Sequence, residues 1–209
     1  MRVSKEKAVE NRSAILQAAS RLFRERGIDA TGVADIAKEA GLTHGALYAH
    51  FPSKDALAAE AFSHGFAGNM KLVRQWEGGR KRNFDKYLDA MFSTQQRDNL
   101  ASGCPMTASA SEIARQGDAI CVSFAQGFEE MVRVLENSLN TEIPASQRRR
   151  LAIASLSAQI GAIAVSRALA KVEPSLSKEV LRSTKEAMRS ALTVTHDSGK
   201  KSRRRRSAA

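Results

Sequence analysis

Residues 31–57 read TGVADIAKEAGLTHGALYAHFPSKDAL, and the fold turns on how they are parsed. Val33, Ile36, Ala37 and Ala40 share one side of a helix that Thr31 or Gly32 can start and Gly41 ends. A tight corner, Gly41-Leu42, leads into Thr43, a good N-cap for a short third helix reaching about His50. Pro52 cannot continue it, since proline lacks an N–H and clashes with the preceding turn. Ser53 then caps a fourth helix, with Asp55 in its first turn, where the helix dipole favours negative charge. Helix, glycine corner, short helix is a helix-turn-helix. On the short helix His44, Gly45, Tyr48 and Ala49 fall on one side, and Leu47 falls on the other with Thr43 and Ala46. Leu47 is the expected core anchor. The opposite face is small or hydrogen-bonding. Gly45 costs a helix about 1 kcal/mol relative to alanine, a cost that makes sense where the backbone must come close to another surface.

Working outward, a first helix is expected from about residue 8 to Arg26. Ile15, Leu16, Ala19, Leu22 and Phe23 stand at helical spacing, and Gly27 sits where a left-handed C-cap belongs. Beyond residue 54 the pattern is a helical bundle, with helices expected over about 54–76, 84–98, 105–116, 119–139, 146–171 and 176–195. No stretch shows the period-two alternation of a half-buried strand, so the expected fold is all-α. The expected layout is a three-helix helix-turn-helix DNA-binding domain over 1–53 and a larger C-terminal helical bundle over 54–196. A basic, disordered tail completes it over 197–209.

Charge supports a polyanionic partner. The formal net charge is +11, and six of the positive charges fall in the last twelve residues, Ser198 to Ala209, without a negative one. A basic excess of this kind suits nucleic acid; the alternative for the tail alone is a solvated end. Two cysteines make neither a disulfide framework nor a zinc site, and the four histidines show no ligand spacing, so no metal or cofactor is expected. No apolar run follows Met1-Arg2, so no signal peptide is expected. The most apolar stretch, Leu151 to Val165, is shorter than the roughly 18–20 residues of a membrane span. The expectation is a cytoplasmic protein with no membrane partner.

The 31–57 segment resembles the DNA-binding signature of the tetracycline-repressor (TetR) family of bacterial transcription regulators. Asp35-Ile36-Ala37, Gly41, Gly45, Leu47-Tyr48, His50-Phe51 and Ser53-Lys54 occur in the expected order and spacing, and the likeness covers about residues 10–60. It implies that the third helix enters the major groove, with His44, Gly45 and Ala46 near base edges. Thr43, Tyr48, His50 and Lys54 would hold phosphates, and Thr31 would do so at the start of the second helix. Gly32 and Ala34 depart from the family pattern: the first removes a phosphate donor, and the second leaves this part of the head without an arginine for bidentate readout of guanine. His44, apolar contacts to thymine methyls, or DNA shape would then carry specificity.

For the bundle, the resemblance implies an effector-binding and dimerisation domain. Eight aromatic residues lie between residues 60 and 130 and none in 129–209. Plain packing accounts for them; alternatively Phe62, Phe66, Met70, Met91, Met106, Phe124 and Phe128 line a cavity for an apolar or aromatic effector. His64, Gln126 and Gln159 are candidate polar partners, and Trp76 is another aromatic of the same region. The small-residue helix 146–171 and the amphipathic helix after it are expected to pair with their copies in a homodimer through Leu156, Ile160, Ile163, Leu181 and Met188. Cys104 stands at an expected helix start, where thiol pKa tends to fall, so a redox or electrophile switch is one reading and a buried structural cysteine the other.

The functional expectation is a ligand-responsive repressor that binds a near-palindromic operator on double-stranded DNA as a dimer and is released by a small-molecule effector. The tail would add sequence-independent phosphate contacts. The competing reading is a small-molecule sensor that acts through a protein partner without DNA binding. No catalytic residues are expected, because Ser53, Asp55 and His50 form no nucleophile–base–orienter arrangement.

Overall fold

The computed structural model describes residues 4–74 and 84–206, with side chains for all of these except residue 72 and residues 192–206. The aromatic Trp76, and the gap between the helices expected over 54–76 and 84–98, lie outside the described residues. All regular structure among the described residues is helical: α1 (Lys5–Arg26), α2 (Val33–Glu39), α3 (His44–Tyr48), α4 (Lys54–Arg74), α5 (Phe84–Met91), α6 (Thr94–Asp98), α7 (Pro105–Ile113), α8 (Asp118–Ser138), α9 (Ala145–Leu169) and α10 (Pro174–Arg206). The chain forms two compact units. The first comprises Met1–Lys71 and Asn99–Phe128, and the second Leu72–Asp98 and Glu129–Ala209.

In the first unit, α1 starts earlier than its apolar periodicity suggests because Ser4 caps it, accepting the Lys7 amide at 3.2 Å. It ends at Gly27, which takes φ 88°. The corner after α2 is a Schellman motif. Gly41 at φ 69° donates its amide to Lys38 O at 3.1 Å, and the Leu42 amide reaches Ala37 O at 2.8 Å. Thr43 Oγ1 accepts the Ala46 amide at 3.3 Å, and Ser53 Oγ the Ala56 amide at 3.0 Å, so both expected caps form. Ile15, Leu22, Phe23, Ile36, Leu47, Phe51 and Leu57 fill the core between α1, α2, α3 and α4. Arg12 lies over the Phe51 ring at 4.7 Å and pairs with Glu60. α7 packs on α1 in the same unit.

In the second unit, α10 packs along α9 and against α5, and α6 packs on α9. The expected helix over 84–98 is two helices. Ser93 breaks it by capping: its Oγ donates to Ala90 O at 2.7 Å and accepts the Gln96 amide at 3.1 Å. α6 buries none of its five residues. Polar contacts hold it: Arg97 Nη1 donates to Ser177 Oγ at 2.9 Å, and Arg167 Nε donates to Arg97 O at 2.6 Å. Ser166 and Ser177, both buried, cross-link α9 to α10 by bonding each other's backbone carbonyls at 2.9 and 2.7 Å. Tyr87 hydrogen-bonds Gln159 in the interior of this unit. At 25 residues, α9 matches the helix expected over 146–171 and, although its most apolar stretch 151–165 is shorter than a span, the helix as a whole is long and apolar enough to cross a membrane. Its Ala152, Ser155, Leu156, Gln159, Ala162, Ile163 and Ser166 are nonetheless buried within this unit, which fits a bundle helix. α10 continues through the basic run expected as a disordered tail as far as Arg206, in keeping with the strong helix propensity of arginine and lysine.

Candidate nucleic-acid interface

α3 is five residues long and owes its orientation to one buried side chain. Leu47 is fully buried, whereas Thr43, His44, Gly45, Tyr48 and Ala49 are exposed and Ala46 is half-buried. The 3.6-residue period therefore turns the imidazole, the bare Cα and the phenol to one side. His44 and Tyr48 meet edge to face, with ring centres 5.1 Å apart at 69°. A Cβ built on Gly45 would meet nothing within 4 Å, so no contact among the described residues requires glycine there. Ala34 on α2 is exposed and Gly32, the N-cap of α2, offers no side-chain cap, so this surface carries no guanidinium from either position.

Two expected phosphate ligands have other partners. Thr31 is buried, and its hydroxyl donates to Gly27 O at 2.6 Å, closing the end of α1; a β-hydroxyl four residues past a helix terminus finds the free carbonyl before it finds solvent. Lys54 is half-buried, and its Nζ donates to Asp29 O at 3.4 Å. His50 is half-buried. Sequence reasoning missed Asp29, which anchors Lys54 from a turn 25 residues away; no local pattern exposes that pairing.

The predicted effector residues divide between the units. Phe62 and Phe66 stack along α4 with ring centres 6.4 Å apart, Phe124 lies 5.8 Å from Phe62, and Phe128 lies 6.3 Å from Phe124. Gly127 faces this cluster: a Cβ there would stand 3.4 Å from both the Phe62 and Phe66 rings. Phe124 and Phe128 are half-buried, and Met70 and Met106 are buried in the same unit. Met91 belongs to the second unit. A cavity of about 20 Å³ beside this cluster takes Phe62 alone from the predicted set, together with Phe23, Arg24 and Ile120, and has room for a water. His64 and Gln126 are exposed, while Gln159 is buried with Tyr87 in the second unit.

The dimer expectation named residues that the subunit already uses. Leu156, Ile163 and Leu181 are buried within the second unit, and Ile160 and Met188 are half-buried. Large aliphatic residues fill the interior first. Beyond Arg150, α9 leaves exposed Ile153, Ala154, Ser157, Gly161, Ala164, Val165 and Ala168, one face of mostly small residues at helical spacing. Cys104 does stand at the N-cap of α7, but it is buried, and burial pushes its thiol up rather than down; the amides of Thr107 and Met106 offset this only in part.

Comparison with known proteins finds two family models on the chain. Residues 15–61 match the family model for bacterial regulatory proteins of the tetR family, and residues 82–194 match that for the C-terminal domain of LmrA/YxaF-like transcriptional regulators. Over 76 residues the chain is 41% identical to the HTH-type transcriptional regulator AcrR of Shigella flexneri, covering 35% of each chain. Over 57 residues it is 49% identical to the HTH-type transcriptional regulator TtgR of Pseudomonas putida, covering 27% of each. The chain thus spans about a third of the length of these relatives or less. A TetR transcriptional regulator from Chloroflexus aurantiacus superposes with a TM-score of 0.73 over 90% of this chain and 96% of its own, at 24% identity. The second family model alone spans more than half of the sequence, and on that ground the chain belongs to the TetR family of bacterial transcription regulators.

Proposed function

We propose that the chain is a cytoplasmic repressor that binds a near-palindromic operator as a homodimer and is released by an apolar or aromatic effector. The observation that carries this reading is α3. Its one large aliphatic residue is buried, and its outward face presents His44, Gly45 and Tyr48, all exposed among the described residues. A face of that chemistry suits a major groove, where donors and acceptors on base edges are read and phosphates are held by neighbouring groups. Two such heads, related by the two-fold axis of a dimer, read two half-sites.

The exposed face of α9 is the surface for the second copy. Ile153 and Val165 flank Ser157, Gly161 and Ala164, and small residues let helices approach closely. The effector site is assigned to the Phe62–Phe66–Phe124–Phe128 cluster, whose half-buried outer rings offer stacking surface. An effector wedged there changes the equilibrium between head arrangements only by binding one of them better.

The test is a gel shift with duplex DNA from the region upstream of its gene. The wild type should shift a fragment carrying an inverted repeat. Tyr48→Ala with Lys54→Ala should abolish the shift, and the loss of one phosphate contact alone should lower the slope of log K against log salt by about 1. A wild type that shifts no fragment, with the double variant no different, would favour the sensor that acts through a protein partner.

A further inference from the structure

We infer that Glu112 of α7 is a positioning residue for the reading head: its carboxylate clamps the α1–α2 turn and fixes the attitude in which α2 and α3 meet DNA. The inference rests on the operator binding proposed above.

Glu112 Oε1 accepts the backbone amide of Asp29 at 2.8 Å, across 83 residues of sequence. The approach depends on Gly27. A Cβ there would stand 3.3 Å from both carboxylate oxygens, and the residue also takes φ 88°. From the same helix end, Gln116 Nε2 donates to Asp29 Oδ1 at 2.9 Å. Lys54 Nζ donates to Asp29 O. The amide, carboxylate and carbonyl of one turn residue are thus each held, twice from the α7 end and once from α4. All of these residues lie in the first compact unit.

The turn leads straight into recognition. Thr31 ties back to Gly27 O, Gly32 is the N-cap of α2, and α2 packs on α3 through the Schellman corner. A short helix with a single buried anchor inherits its direction from the element before it. The start of α7 is fastened as well. Arg24 of α1 donates to Ala101 O through Nε at 2.9 Å and Nη2 at 2.6 Å, over Gly65, where a side chain would collide with the guanidinium. Both ends of α7 are therefore tied to the α1 region, one through the backbone before it and one through Glu112.

Electrostatics separates this role from a surface charge. Deleting a carboxylate from a DNA-binding head removes repulsion from a polyanion and by itself tightens binding. The clamp demands the opposite sign. Glu112→Ala removes the acceptor, whereas Glu112→Gln keeps an oxygen in place without the charge.

The experiment uses the full chain and double-stranded oligonucleotides tiled across the DNA upstream of its gene, titrated by fluorescence anisotropy at several salt concentrations. Glu112→Ala should bind about tenfold more weakly with the salt slope unchanged, since no phosphate contact is lost. Glu112→Gln should stay within about twofold of the wild type. Amide hydrogen exchange at Asp29 should quicken in the alanine variant, without DNA, while exchange in the second unit stays as in the wild type. Equal or tighter binding by Glu112→Ala, an equal loss in Glu112→Gln, or unchanged exchange at Asp29 would each overturn the inference. A wild type that binds none of the oligonucleotides is a different result: it defeats operator binding itself and takes this inference with it.

Discussion

Replacing Gly45 with alanine should stabilise the protein and weaken its hold on DNA in the same step. Gly45 is the second residue of α3, its φ is not positive, and a Cβ there meets nothing within 4 Å. Alanine therefore fits without strain, removes conformational freedom from the unfolded chain and improves helix propensity, a gain of about 0.5–1 kcal/mol. For a unit of this size that raises Tm by roughly 2–8 °C. Against a duplex, on the operator binding proposed above, the same methyl would stand where backbone and base edges come together. Overpacking a close contact costs about 1–3 kcal/mol, which weakens Kd by roughly fivefold to more than a hundredfold. Gly68→Ala is the control, because Gly68 is an exposed α4 residue whose Cβ would also meet nothing within 4 Å. It should raise Tm and leave Kd alone. Differential scanning calorimetry and anisotropy with an operator fragment read the two effects. Should Gly45→Ala bind within twofold of the wild type (less than about 0.5 kcal/mol) while Tm rises, the outward face of α3 does not press against DNA and the reasoning fails.

Two further outcomes follow from the bundle. Cys104, buried with its thiol pushed up, should react with iodoacetamide far more slowly than half-buried Cys121, and only denaturant should equalise them. Because the folded thiol holds its proton longer than the unfolded one, its contribution to stability is complete at neutral pH and declines as pH rises above about 8.5; comparable labelling of both cysteines would contradict the burial argument. Val165→Lys on the exposed face of α9 should convert dimer to monomer in sedimentation velocity with little change in Tm, whereas Leu156→Ala should lower Tm by emptying a buried site, at a cost of about 2–5 kcal/mol. A Val165→Lys dimer as tight as the wild type would move the interface elsewhere.

The helix-turn-helix was legible because everything that specifies it is local. Gly41, Thr43 and Ser53 act within four residues of themselves, and Leu47 is the one large aliphatic side chain on its helix. Local chemistry overlooked elsewhere in the chain explains the small misses: Ser4 lengthens α1 and Ser93 splits α5 from α6 by capping. What a sequence cannot display is which partner a side chain finds across the fold. Thr31 turned inward to Gly27, Lys54 reached Asp29, and Glu112 arrived from 83 residues away. The dimer residues show the same gap. Apolar character marks a position that must leave water, but it does not say whether the subunit's own interior or a second subunit covers it, and Leu156, Ile163 and Leu181 went to the interior.

The short helix α6 has a thermal consequence of its own. Arg97 and Arg167 fasten it while none of its five side chains is buried. Detaching it would wet almost no hydrocarbon, and heat capacity tracks hydrocarbon hydration. Such an opening would add almost nothing to the heat-capacity change of unfolding and, unlike the core around it, would not become easier in the cold.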